Sequence, residues 1–158
     1  MIIKLIWAQD YLGGIGTNNK LPWHSKEDLK NFKALTLNST IVMGRKTWDS
    51  LKIKPLPNRR NIVLSSSNIL NVECYKSIDL LMENIKKESS IFIIGGAQIY
   101  NIFYPNADEL HISFINKSNP NIDTFFPIKI SEIKKKFTKE FSSTLSKDLN
   151  YTKWNKNN

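Results

Sequence analysis

A single α/β domain built on a mostly parallel sheet is the fold class the sequence predicts, and three observations predict it. Short apolar runs alternate with helical patterns along the chain. One run, Ser90-Ile91-Phe92-Ile93-Ile94, is apolar almost throughout, as a strand covered on both faces must be, so it belongs at the centre of the sheet. Glycines follow two strands directly, at Gly44 and at Gly95-Gly96, where a parallel sheet hands its chain to a helix. The 158 residues, 41% of them hydrophobic and 11% aromatic, suffice for one core spanning 1–158. No repeat, low-complexity linker or composition shift divides them.

Ile2 to Gln9 is the first strand. Asp10 to Lys20 carries Gly13, Gly14 and Gly16 among turn formers and reads as a mobile loop leading to Leu21-Pro22-Trp23. Ser25 then caps a helix, with Ser25-x-x-Asp28 resembling a capping box. The helical period sets Asp28, Leu29, Phe32 and Leu35 on one face and Lys26, Lys30 and Lys33 on the other. Thr40 to Met43 is a buried strand, and Gly44 opens a short helix through Trp48; Pro55 and Pro57 mark a loop. Asn61 to Ser65 and Val72 to Lys76 are further strands, and Ser77 caps a helix that turns Ile78, Leu81, Met82 and Ile85 inward. After the central strand, Ala97 to Tyr104 is a helix with Ile99, Ile102 and Phe103 inward, stopped by Pro105. Leu110 to Ile115 alternates as a strand, and Phe137 to Phe141 and Tyr151 to Trp154 complete the sheet with an antiparallel tail.

Twenty-three Lys and Arg against fourteen Asp and Glu give a net charge of +9, which suits nucleic acid or an anionic small ligand. The lysines form no dense stripe beyond Lys134-Lys135-Lys136, and Lys, Asn and Ile are abundant everywhere, as a coding bias would produce. Cys74, the only cysteine, excludes an intramolecular disulfide and suits a reducing compartment. The N-terminal apolar run is too short and too interrupted for a signal peptide, and no transmembrane segment follows, so the expected location is the cytoplasm.

Chemistry concentrates in two places. Asp28 sets a carboxylate in an apolar stripe, where it either satisfies backbone N–H groups of the first helical turn or awaits a partner with hydrogen-bond donors. Three strand ends suit phosphate: Gly44-Arg45-Lys46-Thr47 offers close approach, two cations and a hydroxyl; Gly95-Gly96-Ala97-Gln98 offers backbone without Cβ; and Leu64-Ser65-Ser66-Ser67 adds hydroxyls. Each alone reads equally as a tight turn, and together they suggest a long polyphosphate ligand. Neither a nucleoside-triphosphate loop nor a G-x-G-x-x-G after the first strand is present, so an ordinary Rossmann domain is not indicated.

Ile15-Gly16, Leu21-Pro22-Trp23, Asp28-Leu29 with Phe32-Lys33, Val42 to Trp48, Pro55-Leu56-Pro57 with Arg59, Leu64-Ser65, Ile94-Gly95-Gly96 with Tyr100, and Asp123-Thr124 with Phe126-Pro127 stand in an order and spacing that resembles dihydrofolate reductase of the bacterial chromosomal type. The resemblance runs from Ile6 to Pro127 and thins toward the C-terminus. It implies an eight-stranded sheet with about four helices, hydride transfer from NADPH to C6 of 7,8-dihydrofolate with protonation of N5, antifolate binding, no metal, and a monomer. In that reading Asp28 holds the N3 and 2-amino edge of the pterin, Trp23 and Leu21 join it at the catalytic centre, and Trp23 helps hold the water that delivers the proton. Ile6, Leu29, Phe32, Leu51 and Ile94 wall the rings, with Ala8, Lys33, Tyr100 and Ser113 also at the substrate, and Arg59 pairs with its α-carboxylate. The residues matching cofactor contacts are Trp7, Ala8, Ile15, Gly16, Gly44, Arg45, Lys46 and Thr47, then Leu64, Ser65, Ser66 and Lys76, then Gly95, Gly96, Ala97, Gln98, Ile99, Tyr100 and Thr124. Arg45 and the Ser65-Ser66 pair would surround a 2′-phosphate, and the Gly95-Gly96 peptide would be cis.

The chain departs from the pattern at four points. Asn58 stands where glycine is usual, the Lys52-Ile53-Lys54 loop is one residue longer, Ser113 replaces threonine, and Trp7 is bulky where alanine or valine is common. Two other readings are a related reductase of the same fold, such as the pyrimidine reductase of riboflavin synthesis, and a basic nucleic-acid-binding module. Asp28 with Trp23 argues against the first, and the lack of a recognised motif or clustered aromatics against the second.

Overall fold

The computed structural model describes residues 1–158. Its strands are β1 (Ile2–Asp10), β2 (Gly14–Gly16), β3 (Thr40–Gly44), β4 (Arg60–Leu64), β5 (Glu73–Tyr75), β6 (Ser90–Ile93), β7 (Glu109–Ile115), β8 (Thr124–Phe125), β9 (Phe137–Ser146) and β10 (Leu149–Lys156). Eight of them form one sheet in the order β5-β4-β3-β6-β1-β7-β10-β9, and β2 and β8 form a separate ribbon. All pairings from β5 to β7 are parallel, while β10 runs antiparallel to both its neighbours. Strand β6 does lie in the middle, with Ile91 and Ile93 fully buried and Phe92 nearly so. Parallel strands need covered crossovers, and α1 (Lys26–Thr36), α2 (Arg45–Ser50), α3 (Ile78–Ile85) and α4 (Ala97–Phe103) provide them.

Five helices form rather than four. The fifth, α5 (Ile130–Lys136), is about two turns held by fully buried Ile133, and its Lys134, Lys135 and Lys136 lie in the last turn, where they favour the negative end of the helix dipole. So short an apolar signal beside a charge run is easily read as a solvated stretch. The glycine-rich segment after β1 is likewise not all loop. Asp10 Oδ1 accepts the N–H groups of Leu12 and Gly14 at 2.9 and 2.8 Å, bending the chain so that β2 pairs with β8. The two terminal strands run longer than their apolar residues suggest, because ladder bonds to β7 and β10 extend through polar positions.

Two inward assignments change. In α4 Ile102 is 40% exposed while Tyr100 is 4% exposed, because Ile99 and Phe103 centre the buried face and Tyr100 lies closer to that centre. In α1 Leu29 is 54% exposed at the flank of the stripe, and Thr36 is fully buried, its hydroxyl donating to the Phe32 carbonyl at 2.8 Å. Strand β1 divides the core by its alternation. Leu5 and Trp7 enter the largest apolar cluster, on the side of α3, α4 and α5. Ile6 joins the cluster against which Phe32 and Leu35 of α1 pack, and Ala8 joins a third with Trp23. Each fully buried aliphatic side chain contributes about 1.5–3 kcal/mol. The second face, beneath α1, carries the site.

Candidate active site

Ser25 Oγ accepts the Asp28 N–H at 3.1 Å, the cap the sequence predicts. A complete capping box would have the Asp28 carboxylate bond back to the first turn, and here it does not: the polar group that acts on it is the Ser113 hydroxyl. Nor does Asp28 take part in any ion pair of the chain. Burial therefore raises its carboxyl above the ordinary carboxylate range, and the Ser113 hydroxyl offsets part of that shift. Ser113 is itself buried on β7, where it pairs with Ala8 of β1. The loss of a methyl relative to threonine leaves the bracing hydroxyl in place. The Tyr100 hydroxyl donates to the Ile6 carbonyl at 2.7 Å; burial, then the negative charge of Asp28, pushes its pKa far up and keeps it a neutral donor.

Four expected ring walls are contiguous: Ile6 is buried with Met43, Trp48 and Phe92, and Phe32, Leu51 and Ile94 pack half-buried against that group. Leu29 and Leu21 are exposed, as is Lys33 in the last turn of α1. Trp23 is buried beside Ala8, and its Nε1 has no hydrogen-bond partner in the protein. A buried donor of that kind is one that a water or a ligand takes up.

Arg59 and Arg60 are sharply different. Arg60 Nε and Nη2 grip Glu73 at 2.9 and 2.6 Å, and Nη1 reaches Glu88 at 2.6 Å, so it is spent on joining β4, β5 and the start of β6. Arg59 uses only Nε, donating to the Pro57 carbonyl at 3.0 Å, and its Nη1/Nη2 edge is unpaired. Asn58 adopts φ 59°, a left-handed conformation that asparagine tolerates better than other side chains, so the turn survives without glycine. In the longer loop Lys54 folds back, its ammonium 5.7 Å from the Trp48 ring.

The phosphate-suited residues share one edge of the sheet. Leu64 pairs with Tyr75 and Gly44 with Leu64, so the strands of Lys76, Ser65 and Arg45 end side by side. Ser65 N–H donates to the Tyr75 carbonyl and Gly44 N–H to the Gly95 carbonyl, extending the row to β6. Gly44 and Gly96 stand at the N-termini of α2 and α4, neither of which has a side-chain cap bond, so orphan N–H groups face outward at both. A Cβ on Gly96 would lie 3.7 Å from Thr47 Oγ1, which brings the two helix starts together. The Gly95–Gly96 peptide is cis, as is Lys54–Pro55. Arg45 Nε contacts both oxygens of Asp49 at 3.1 Å, which leaves its Nη atoms free. Lys46, Ser66 and Gln98 are exposed, Ala97 and Leu64 half-buried, and Ile99 buried. Gly16 pairs with Thr124 across the β2–β8 ribbon, with half-buried Ile15 between Gly14 and Gly16. Trp7 is the outlier. Its ring stacks on Phe126 with centroids 3.7 Å apart, and its Nε1 donates to Gln9 at 2.8 Å, so the side chain is committed to the opposite face from Ile6.

The family model for dihydrofolate reductase matches residues 2–156. The chain belongs to the dihydrofolate reductase family. It is 45% identical over 118 residues to the dihydrofolate reductase of Ureaplasma parvum, covering 72% of this chain and 75% of that one. The Mycobacterium leprae dihydrofolate reductase is 40% identical over 120 residues, 73% of each chain. Among solved structures, Enterococcus faecalis dihydrofolate reductase complexed with NADP(H) and RAB-propyl superposes with a TM-score of 0.87 at 31% identity, over 99% of this chain and 97% of that one.

Two polar residues at this site carry no motif. Asn61, 7% exposed, binds the loop before β4, and Asp49 faces Arg45 at helical i, i+4 spacing. Only the second had a readable signal, an Arg–Asp pair four residues apart whose second member stands just past the helix expected through Trp48.

Proposed function

We propose that this chain, acting as one domain, reduces 7,8-dihydrofolate to 5,6,7,8-tetrahydrofolate with NADPH, and that Asp28 is the group that makes the pterin reducible. The observation that carries this reading is a half-buried carboxylate beside the Ser113 hydroxyl, with no cation paired to it. A pterin presents two parallel N–H donors at N3 and the 2-amino group, and a carboxylate accepts both in a charge-assisted pair. That pair favours positive charge on the ring, so N5 is more readily protonated before C6 is reduced. Asp28 acts on the ring at its N3 edge and does not itself hand a proton to N5. Trp23, whose buried Nε1 is unpaired, supports a place for the water that does. Tyr100, held neutral, fixes the Ile6 carbonyl and takes no part in proton transfer.

The residues present fit the cofactor, because two uncapped helix N-termini and a glycine pair lie along one sheet edge with Arg45 at their side. NADPH, when bound, supplies the hydride. Gly44, Thr47, Gly96 and Ala97 would hold its diphosphate, and Arg45, Ser65, Ser66 and Lys76 its 2′-phosphate, while Ile15, Gly16 and Thr124 close over the end nearest β1. The aminobenzoyl ring lies against Phe32 and Leu51, and the free Nη edge of Arg59 receives the α-carboxylate. No helix is long and apolar enough to cross a membrane. A cytoplasmic monomer open to antifolates completes the proposal. The test is consumption of NADPH on adding dihydrofolate, with tetrahydrofolate identified as product. Absence of dihydrofolate-dependent consumption by folded protein that binds NADPH would sink the reading.

A further inference from the structure

Asn61 opens onto the loop that carries Arg59, and its amide is almost wholly consumed there. Its Oδ1 accepts the Leu56 N–H at 2.9 Å, and its Nδ2 donates to the carbonyls of Leu56 and of Arg59, each at 2.9 Å. The side chain is 7% exposed, so these bonds are not in competition with bulk water. One buried amide thus ties both ends of the turn Leu56-Pro57-Asn58-Arg59, and one of its bonds is made to the residue that bears the guanidinium. The outer side of the same turn is tied by Asn38 N–H to the Asn58 carbonyl at 2.9 Å and by Arg60 N–H to the Ser39 carbonyl at 3.1 Å. Those two bonds hold the turn against the end of α1, and because the Arg59–Arg60 peptide is planar the Arg60 N–H bond holds the Arg59 carbonyl from its other end. Asn61 is the one side chain bonded to that carbonyl, and it ties the peptide following Arg59 to Leu56 at the start of the turn, which sets the direction in which the Arg59 side chain leaves the backbone.

We infer that Asn61 is a positioning residue for the substrate's carboxylate tail: it aims the free Nη edge of Arg59 without touching substrate itself. The inference rests on the reading of Arg59 as the carboxylate's partner. It follows that Asn61 matters only for substrates that carry the glutamate. A bidentate arginine–carboxylate pair is directional, so a turn freed to reorient weakens it even though the charge is kept.

The deciding comparison is kcat/KM for dihydrofolate against kcat/KM for a 7,8-dihydropterin with a methyl group in place of the aminobenzoylglutamate tail. It is measured in the wild type, Asn61→Ser, Asn61→Asp and Arg59→Ala, and in the double variant of Arg59→Ala with Asn61→Ser. Both substitutions at Asn61 remove the two donated bonds, and the aspartate keeps the shape, so one folded variant suffices. The expected result is a fall of about tenfold in the tailed-to-tailless ratio, with the tailless rate and the NADPH dissociation constant unchanged. In the Arg59→Ala background the Asn61→Ser change should leave the ratio where it is. Equal losses on both substrates, or failure of both Asn61 variants to fold, would assign Asn61 to the fold alone and overturn the inference. A ratio that collapses in Arg59→Ala but not in the Asn61 variants overturns it while leaving the Arg59 reading intact. A ratio unmoved by Arg59→Ala removes both.

Discussion

Replacing Asp28 by asparagine keeps the side chain's shape and one carbonyl oxygen while removing the charge on which the proposed chemistry depends. The structural consequence has a definite sign. Asp28 is half-buried without a cation, and its folded-state pKa is raised, so its neutral form suits the folded protein and its ionised form costs stability. The favourable contribution is complete below the unfolded carboxylate range and is lost as pH rises through the folded-state pKa. At neutral pH, then, Asp28→Asn should melt no lower than the wild type, and the gap between the two should close on acidification. The catalytic consequence runs the other way. A charge-assisted pair contributes about 1.5–3 kcal/mol, so its loss slows hydride transfer roughly ten- to more than a hundredfold at neutral pH. The rate should recover in part toward acid pH, where dihydrofolate already protonated in solution needs no help from a carboxylate. Single-turnover hydride transfer followed across pH, together with thermal melts of both proteins, measures each arm. An Asp28→Asn protein with undiminished neutral-pH transfer would refute the reasoning, since only a structural carboxylate could be lost without effect.

Arg45→Ala should narrow the preference for NADPH over NADH about tenfold or more, read as the ratio of dissociation constants, because a charge-assisted contact to the 2′-phosphate disappears; equal use of both cofactors by the wild type would remove the basis for it. Arg60→Ala should lower the stability by about 1 kcal/mol at that partial exposure, and the melting temperature with it, since a bidentate grip on Glu73 and a bond to Glu88 are lost together. Arg59→Ala should leave the melt almost unchanged, and the reverse order would mean that the two arginines have exchanged roles. His111 accepts from Tyr151 at 2.6 Å through Nδ1 and reaches Glu109 at 3.2 Å through Nε2, with Lys4 and Lys153 on the same carboxylate. Burial is the main cause that lowers its pKa from the ordinary 6.5. A histidine depressed in the folded state supports stability above pH 6.5 that is lost as the pH falls through its folded-state pKa, so His111→Gln should flatten the acid side of the stability profile. A profile of unchanged slope would count against a buried neutral imidazole.

Much of the fold was legible because its signals are local. The strand β6 is apolar on both faces, and both helices with a serine at their N-cap, α1 and α3, begin where that residue stands. What escaped depended on partners distant in sequence. The β2–β8 ribbon needs Asp10 to bend the chain, α5 rests on one buried isoleucine, and Tyr100 replaces Ile102 inside because its hydroxyl meets a carbonyl of β1. At the site, Asp28 was visible as a carboxylate in an apolar stripe, but whether it capped the helix was not, since both roles use the same spacing. Geometry separates them: the cap is Ser25, and the carboxylate makes no bond back to the first turn. Trp7 shows the converse case. The direction of its bulky ring could not be read locally, because its Phe126 partner lies 119 positions away and no pattern near Trp7 announces it.

The strand ends from β5 to β1 follow in the order β5, β4, β3, β6, β1, four steps along one edge. At a strand spacing of ~4.8 Å this edge is a ruler of ~19 Å. Lys76 and Ser65 mark one end of it, and Ala8, beside Asp28's brace, marks the other. Substitutions at the two ends are too far apart to share partners, and their free energies should add. A change at the Lys76 and Ser65 end can therefore alter that end's charge and hydroxyls without moving the groups around Asp28.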